Sequence, residues 1–409
     1  MIMPRLIPPL SRDQWLVYFA QMTWGLSYGL WLHLQPIYIR FLGADPGEVG
    51  TTLSLAGLIV VLVYIPMGLI ADRWRRKPII VAAWVMGTIA TLLIGLAPDW
   101  RWVIPAFSVY LLSSFSRPAV AGLVAATDKS DNPSRTFAFL WTGFSIGSIV
   151  SPSVGGWIAE AWGLRVVFYV AAGIGVLSTL VMMQLHDVAA PSATRRTQQA
   201  GMLQLLGDRP FLWQMFLMFA IVFALEVGTV LAPNYLQEIK GLSLQQIGEL
   251  GTVASLGMFT LTLVLGYMRS DRRRPFVLNQ LLVLGGLILI LIAPGGQTLS
   301  LFLLAGYFFR GGNRAVVPLT RGRISFWLPP DVLSLGFAMM DTAAQTAVML
   351  APLAAGYLYD RDPAWPLYGG VIALSVTTAL TLMSQTARSG RAPREPSFQT
   401  QIDSAPSQR

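Results

Sequence analysis

Leu281-Leu-Val-Leu-Gly285-Gly-Leu-Ile-Leu-Ile290-Leu-Ile-Ala293 carries no charged and no polar side chain. The run has no period of two, so it is not a half-solvated strand, and its apolar character extends back to Phe276. An α-helix needs about 20 mostly apolar residues to cross the hydrocarbon layer of a bilayer, and this stretch supplies nearly that many.

Segments of the same kind recur along the chain, joined by short polar stretches. The first six are Gln14–Phe41, Glu48–Ala71, Pro78–Leu96, Trp102–Thr127, Thr136–Ala161 and Val166–Leu185. The second six are Phe211–Ile239, Gln245–Met268, Phe276–Ala293, Thr298–Leu319, Leu333–Tyr359 and Leu367–Met383. A membrane β-barrel would show alternating segments of about 10 residues instead. Only 12% of the 409 residues are charged, against about 25% in a soluble globular chain. The sequence therefore predicts an all-α integral membrane protein of twelve transmembrane helices.

A net charge of +9 suggests nucleic acid until the cations are sorted by side. With the N-terminus inside, Arg5, Arg12, Arg73, Arg75, Arg76, Lys77, Lys129, Arg135, Arg195, Arg196, Arg209, Arg269, Arg272 to Arg274, Arg321, Arg323 and the tail arginines share one side. The other side has Arg40, Arg101, Arg165, Lys240 and Arg361, outnumbered by carboxylates such as Asp45, Glu48, Asp99, Glu160, Glu238 and Asp360. The positive-inside rule then places both termini in the cytosol of a plasma-membrane protein, and the basic charge is topology, with no nucleic-acid partner. The first apolar stretch is too long for a signal-peptide core and stays as a helix. The absence of cysteine excludes disulfides and thiolate metal sites. Neither a metal nor a cofactor is expected.

The polar segment 186–210 divides the chain into a six-helix bundle at 14–185 and another at 211–384, after a cytosolic N-terminus at 1–13 and before a tail at 385–409 that cannot bury a core. The halves repeat. At an offset of 197, Pro36-Ile37-Tyr38 meets Pro233-Asn234-Tyr235, Tyr110 meets Tyr307 and Arg117 meets Arg314; at 200, Pro152 meets Pro352 and Gly156 meets Gly356. Such parallel halves, related by an axis along the membrane normal, suit a transporter that holds its solute between them.

Between the second and third spans stands Gly68-Leu-Ile-Ala-Asp72-Arg73-Trp-Arg-Arg76-Lys77-Pro78. It resembles the loop motif of the major facilitator superfamily, with Arg75 where that family usually has glycine. The resemblance covers nearly the whole chain and implies two pseudo-symmetric six-helix bundles working by alternating access. It also implies that Asp72 meets the start of the eleventh helix near Leu335 while Arg76 pairs with Asp128, closing a cytosolic gate. The second copy, Gly266 to Pro275, has Ser270 in place of the aspartate and reads as topological.

Gly143, Gly147, Ser151 and Gly155 recur every four residues, as do Ala343, Ala347, Ala351 and Ala355 in the eleventh span. These small rows let helices pack closely and are expected at the contact between halves. Gly147 to Gly156, with Pro152 and Gly155, resembles the fifth-helix signature of the family's proton-coupled exporters, Ser151 replacing its middle glycine. Gly143-Phe-Ser145-Ile-Gly147 also spells a nucleophile elbow, but no strand-to-helix turn and no histidine base accompany it, so hydrolase chemistry is rejected and the chain is not an enzyme.

Ionisable residues inside a bilayer cost at least about 2.5 kcal/mol and mark function. Here they are Arg117, Glu226, Arg310, Arg314 and Asp341. In the family that the chain resembles, the first, fourth, seventh and tenth helices line the cavity, which implies that Arg117 and Arg314 face each other across the pathway, neutralised by Glu226 or Asp341, or else fix helix packing through backbone carbonyls; Glu226 is the favoured coupling group. Gln21, Trp24, Tyr28, Trp31 and Gln35 form one polar-aromatic face of the first span, suited to a cavity wall or simply to packing. The expectation is a monomer exporting a small amphipathic solute in exchange for protons. Uptake or exchange of an organic anion by way of Arg117 and Arg314 stands as the alternative, and a non-transporting receptor or scaffold is more remote.

Overall fold

The computed structural model describes residues 9–71, 75–128, 133–187, 205–268, 274–296, 298–325, 328 and 330–386. Among them there is no strand. The first half comprises α1 (Arg12–Leu32), α2 (Gln35–Phe41), α3 (Pro46–Ala71), α4 (Arg76–Leu96), α5 (Trp100–Leu112), α6 (Arg117–Thr127), α7 (Pro133–Trp162) and α8 (Leu164–Met183). The second comprises α9 (Arg209–Thr229), α10 (Ala232–Glu238), α11 (Leu244–Tyr267), α12 (Arg274–Ile292), α13 (Leu301–Arg310), α14 (Val316–Ile324), α15 (Pro330–Tyr359) and α16 (Trp365–Thr386). Seven segments of the described chain, among them α4, α8, α11, α12 and α16, are long and apolar enough to cross a membrane by length and composition alone. The segment 188–204 and the tail 387–409 lie outside the described residues.

The sixteen helices among the described residues make twelve spans because four spans are broken, in pairs related by the repeat. The first span breaks between α1 and α2 and the seventh between α9 and α10. In each case a proline, Pro36 or Pro233, stands at the start of the second piece and lacks the N–H that would continue the ladder. The fourth and tenth spans each pass through a short 3-10 stretch, Ser113–Ser116 and Gly311–Ala315. These four broken spans supply most of the polar and aromatic groups described below.

The repeat is visible in the packing. A Cβ on Gly156 of α7 would lie 2.9 Å from Gly248 Cα of α11, and one on Gly356 of α15 would lie 3.0 Å from Gly47 Cα and 3.2 Å from Gly50 Cα of α3. Two crossings of unlike sequence position are thus made by equivalent glycines, and both join one half to the other.

The few cations at the acidic end have local employment. Arg165 donates to the Gly95 carbonyl at 3.1 Å, where α4 ends, beside the hydroxyls of Tyr38 and Tyr169. Lys240 donates to the carbonyls of Leu291 and Ala293, at 3.2 and 2.6 Å, where α12 ends. Both neutralise the negative end of a helix dipole. Burial pulls Lys240 below the ordinary lysine range.

Candidate functional site

The first-span aromatics are brought together, but not all on one wall. Trp24 and Tyr28 stack on Tyr110 of α5, with centroids 6.0 and 6.3 Å away, and Trp31 meets the same ring edge-on at 5.0 Å. Trp31 is 1% exposed and packs inward against Phe107 and Phe168, and Trp24 reaches Trp84 and takes the room left by Gly87 on α4. Gln35 is buried as well, while Gln21, Trp24 and Tyr28 are half-buried. The stripe therefore divides: its outer part, Trp31 and Gln35, belongs to the bundle interior, and its inner part keeps some open surface. Arg117, at the start of α6, is exposed.

In the second half, Glu226 of α9 is half-buried and accepts a hydrogen bond from Asn313 Nδ2 at 3.3 Å, from the 3-10 stretch of the tenth span. One turn farther along α9, Arg310 donates to the Thr229 carbonyl at 2.9 Å and lies 4.8 Å over the Tyr307 ring. Its Nη1 is buried without a protein partner. The Arg314 side chain lies outside the described residues.

Asp341 is expected to neutralise Arg117 or Arg314, and its described partner is a third arginine. It takes a two-pronged ion pair with Arg321 of α14, Nε to Oδ1 at 3.2 Å and Nη2 to Oδ2. In the sequence, Arg321 reads only as a positive-inside anchor. The planar guanidinium fork matches a carboxylate edge, so a nearby arginine on the adjoining helix captures it. Both side chains stay partly exposed, at 45% and 37%.

At the basic end, Asp72 and Arg73 lie outside the described residues, and Gly68 lies within α3. Arg76 reaches the fourth span as expected, but its described bond is to the Gly122 carbonyl at 2.7 Å, and a Cβ on Gly122 would lie 2.9 Å from the Arg76 guanidinium carbon. Gly122 opens the berth that draws Arg76 there. Asp128 instead accepts from Thr136 at 3.3 Å. Arg75, the departure from the family motif, pairs with Asp187 at 2.7 Å.

The small row of α7 does not lie between the halves. Cβ atoms on Gly143, Gly147 and Gly155 would strike the carbonyl oxygens of Tyr18, Met22 and Leu30 at 2.7, 2.2 and 2.0 Å, all on α1. Ser151 Oγ donates to the Gly25 carbonyl on α1 at 3.4 Å. Each step of one residue turns a helix by about 100°, so Pro152 and Gly156, one place on, face α11 of the other half. The spacing identifies the right residues and the wrong neighbour.

Among the described residues the polar contacts between halves gather at the acidic end, and sequence reasoning missed them. On the pseudo-axis, Arg40 meets Glu238 at 3.0 Å, Tyr359 donates to Glu238 at 2.8 Å, and Asn234 donates to the Pro36 carbonyl at 3.3 Å. To either side, Glu160 accepts from the Leu244 N–H at 2.9 Å and Asp360 from the Gly47 N–H at 3.0 Å. Ser153 and Thr252 share a hydrogen bond of 2.7 Å, and Leu353 N–H donates to Ser54 at 3.1 Å. Every one of these bonds joins opposite halves, except Tyr359 to Glu238. The equivalence of Glu160 and Asp360 at the offset of 200 was the signal available in the sequence.

A family profile described as Major Facilitator Superfamily matches residues 15–233 and 227–406. The quinolone resistance protein NorA of Staphylococcus aureus (strain COL) is 22% identical over 384 residues, 90% of this chain and 95% of NorA. The multi-drug resistance efflux pump PmrA of Streptococcus pneumoniae serotype 4 (strain ATCC BAA-334 / TIGR4) is 24% identical over 354 residues, 83% of this chain and 87% of PmrA. Among solved structures, a point mutant of the nucleoside transporter NupG superposes with a TM-score of 0.75 at 11% identity, covering 92% of this chain and 98% of NupG. A bacterial homolog of the human lysosomal transporter Spinster, inward-facing and occupied, gives 0.72 at 14%, covering 91% and 96%. At these identities the structural likenesses establish the fold.

Proposed function

The chain belongs to the major facilitator superfamily and is a membrane transporter of small solutes, and on that premise we propose that it exports an amphipathic solute in exchange for protons. The observation that carries this reading is Glu226: a half-buried carboxylate in the seventh span, held by a neutral amide 3.3 Å away from the broken tenth span. A carboxylate that bridges two of the broken spans is placed to carry the exchanged proton, and an ionisable residue inside a span is costly enough to mark function. The efflux named for PmrA and the quinolone resistance named for NorA, both of which this chain resembles along most of its length, support the direction. The partly open faces of Trp24 and Tyr28 supply apolar and cation-attracting surface. The acidic end is assigned to the outside and both termini to the cytosol, following the charge asymmetry.

The test is solute-induced proton movement in proteoliposomes carrying an internal pH dye. Amphipathic cations should drive proton flux through the wild-type chain, and Glu226→Gln, which keeps the hydrogen-bonding shape but cannot titrate, should reduce it to the leak. Anion-driven transport that Glu226→Gln leaves intact would refute the proposal and move the solute contact to the exposed Arg117.

A further inference from the structure

In the sequence, Glu160 and Asp360 read only as carboxylates of the acidic side. Each instead crosses to the opposite half and accepts from a backbone N–H in the first turn of a helix: Glu160 at Leu244 of α11, Asp360 at Gly47 of α3. The first-turn N–H groups of a helix have no partner inside it and carry the positive end of its dipole. The local caps leave these particular donors over. Ser243 and Gln246 close a capping box that satisfies each other's N–H groups, and Glu48 accepts from the Asp45 N–H at 2.8 Å. Leu244 and Gly47 remain, and the foreign carboxylates take them.

The two sites differ by one residue for a simple reason. Leu244 is the first residue of α11, and the first residue of α3 is Pro46, which has no N–H, so the bond moves on to Gly47. Gly47 is needed there for room: a Cβ would lie 2.3 Å from Asp360 Oδ2. The neighbouring glycine crossings, Gly156 with Gly248 and Gly356 with Gly50, bring the backbones close enough for so short a reach.

We propose that Glu160 and Asp360 are paired positioning residues of the transport cycle, clips that hold the acidic end shut by capping a helix of the opposite half. They touch no solute. Their chemistry mirrors the latch that family resemblance implies for Asp72 at the basic end. Alternating access then exchanges a carboxylate-to-helix latch at one end for its counterpart at the other. Since the clips share no residue and act on one rigid-body closure, their contributions multiply in the open-to-closed ratio.

The native chain has no cysteine, so Thr252→Cys, which sits under the closure, is a single-thiol reporter. Its labelling by a membrane-impermeant maleimide is measured in vesicles of both orientations. This needs neither solute nor a proton gradient, so the inference stands or falls separately from the export reading. Glu160→Ala and Asp360→Ala should each raise the labelling rate from the acidic side by about 2- to 30-fold, the range for losing a capping carboxylate, and the double variant by the product. Glu160→Gln and Asp360→Asn should give smaller increases without lowering thermal stability, and they decide the matter if the alanine variants fail to fold. Glu249→Ala, an acid one turn away that bonds only Gln245 among its described partners, should change nothing. Unchanged labelling in the clip variants, or an equal rise with Glu249→Ala, overturns the proposal.

Discussion

Joining Ser153 to Thr252 through a disulfide will stop transport, and reduction will restore it. The two hydroxyls are 2.7 Å apart on α7 and α11, so cysteines in their places need only a small adjustment to reach the ~2.05 Å of an S–S bond. The bond would tie opposite halves together beside the Pro152 and Gly248 crossing, where a Cβ on Gly248 would already lie 2.4 Å from the Pro152 carbonyl oxygen. If alternating access requires these surfaces to part, the oxidised Ser153→Cys/Thr252→Cys protein cannot complete a cycle. Each single variant should transport normally, with or without oxidant. Since no native cysteine competes, the loss under oxidant and its recovery under reductant report this one linkage. Full transport with the linkage demonstrably formed would mean that the acidic-end contact does not open during turnover.

The elements of the fold were legible because a bilayer imposes a coarse code: long apolar runs, cations gathered on one side and a repeat at 197 to 200. Pro36 and Pro233 even mark where the first and seventh spans break. What stayed illegible depended on helix phase or on the backbone. Trp24, Tyr28 and Trp31 share a face in sequence, yet Trp31 turns into the bundle because Phe107, Tyr110 and Phe168 receive it. Depth along the spans suggests Arg117 or Arg314 for Asp341, while Arg321, a topological charge by its place in the sequence, is a neighbour in reach. The clips were hidden for a different reason: the partner of Glu160 or Asp360 is an N–H group, which every residue but proline possesses and which no side-chain pattern reveals.

Replacing Gly155 and replacing Gly156 by valine should give opposite failures, although the two are adjacent. A Cβ at 155 would lie 2.0 Å from the Leu30 carbonyl oxygen and 2.8 Å from its Cα, both backbone atoms of α1 within the same bundle. Nothing there is the flexible end of a side chain, so α1 and α7 must separate, and overpacking of this kind costs about 1–3 kcal/mol or more of a stability that totals only about 5–15 kcal/mol. Gly155→Val should therefore lose its single sharp peak in detergent chromatography and its thermal midpoint. A Cβ at 156 meets Leu244 O at 2.6 Å and Gly248 Cα at 2.9 Å, atoms of the other half. The strain is relieved by moving one bundle away from the other, a motion the transport cycle already contains. Gly156→Val should fold and melt like the wild type, expose Thr252→Cys to the impermeant maleimide and transport slowly, because the closed acidic end has become the unfavourable state. Had the small row lain between the halves, as its spacing suggests, Gly155→Val too would wedge the passage without unfolding the protein. Equal behaviour of the two would reinstate that arrangement against the one described.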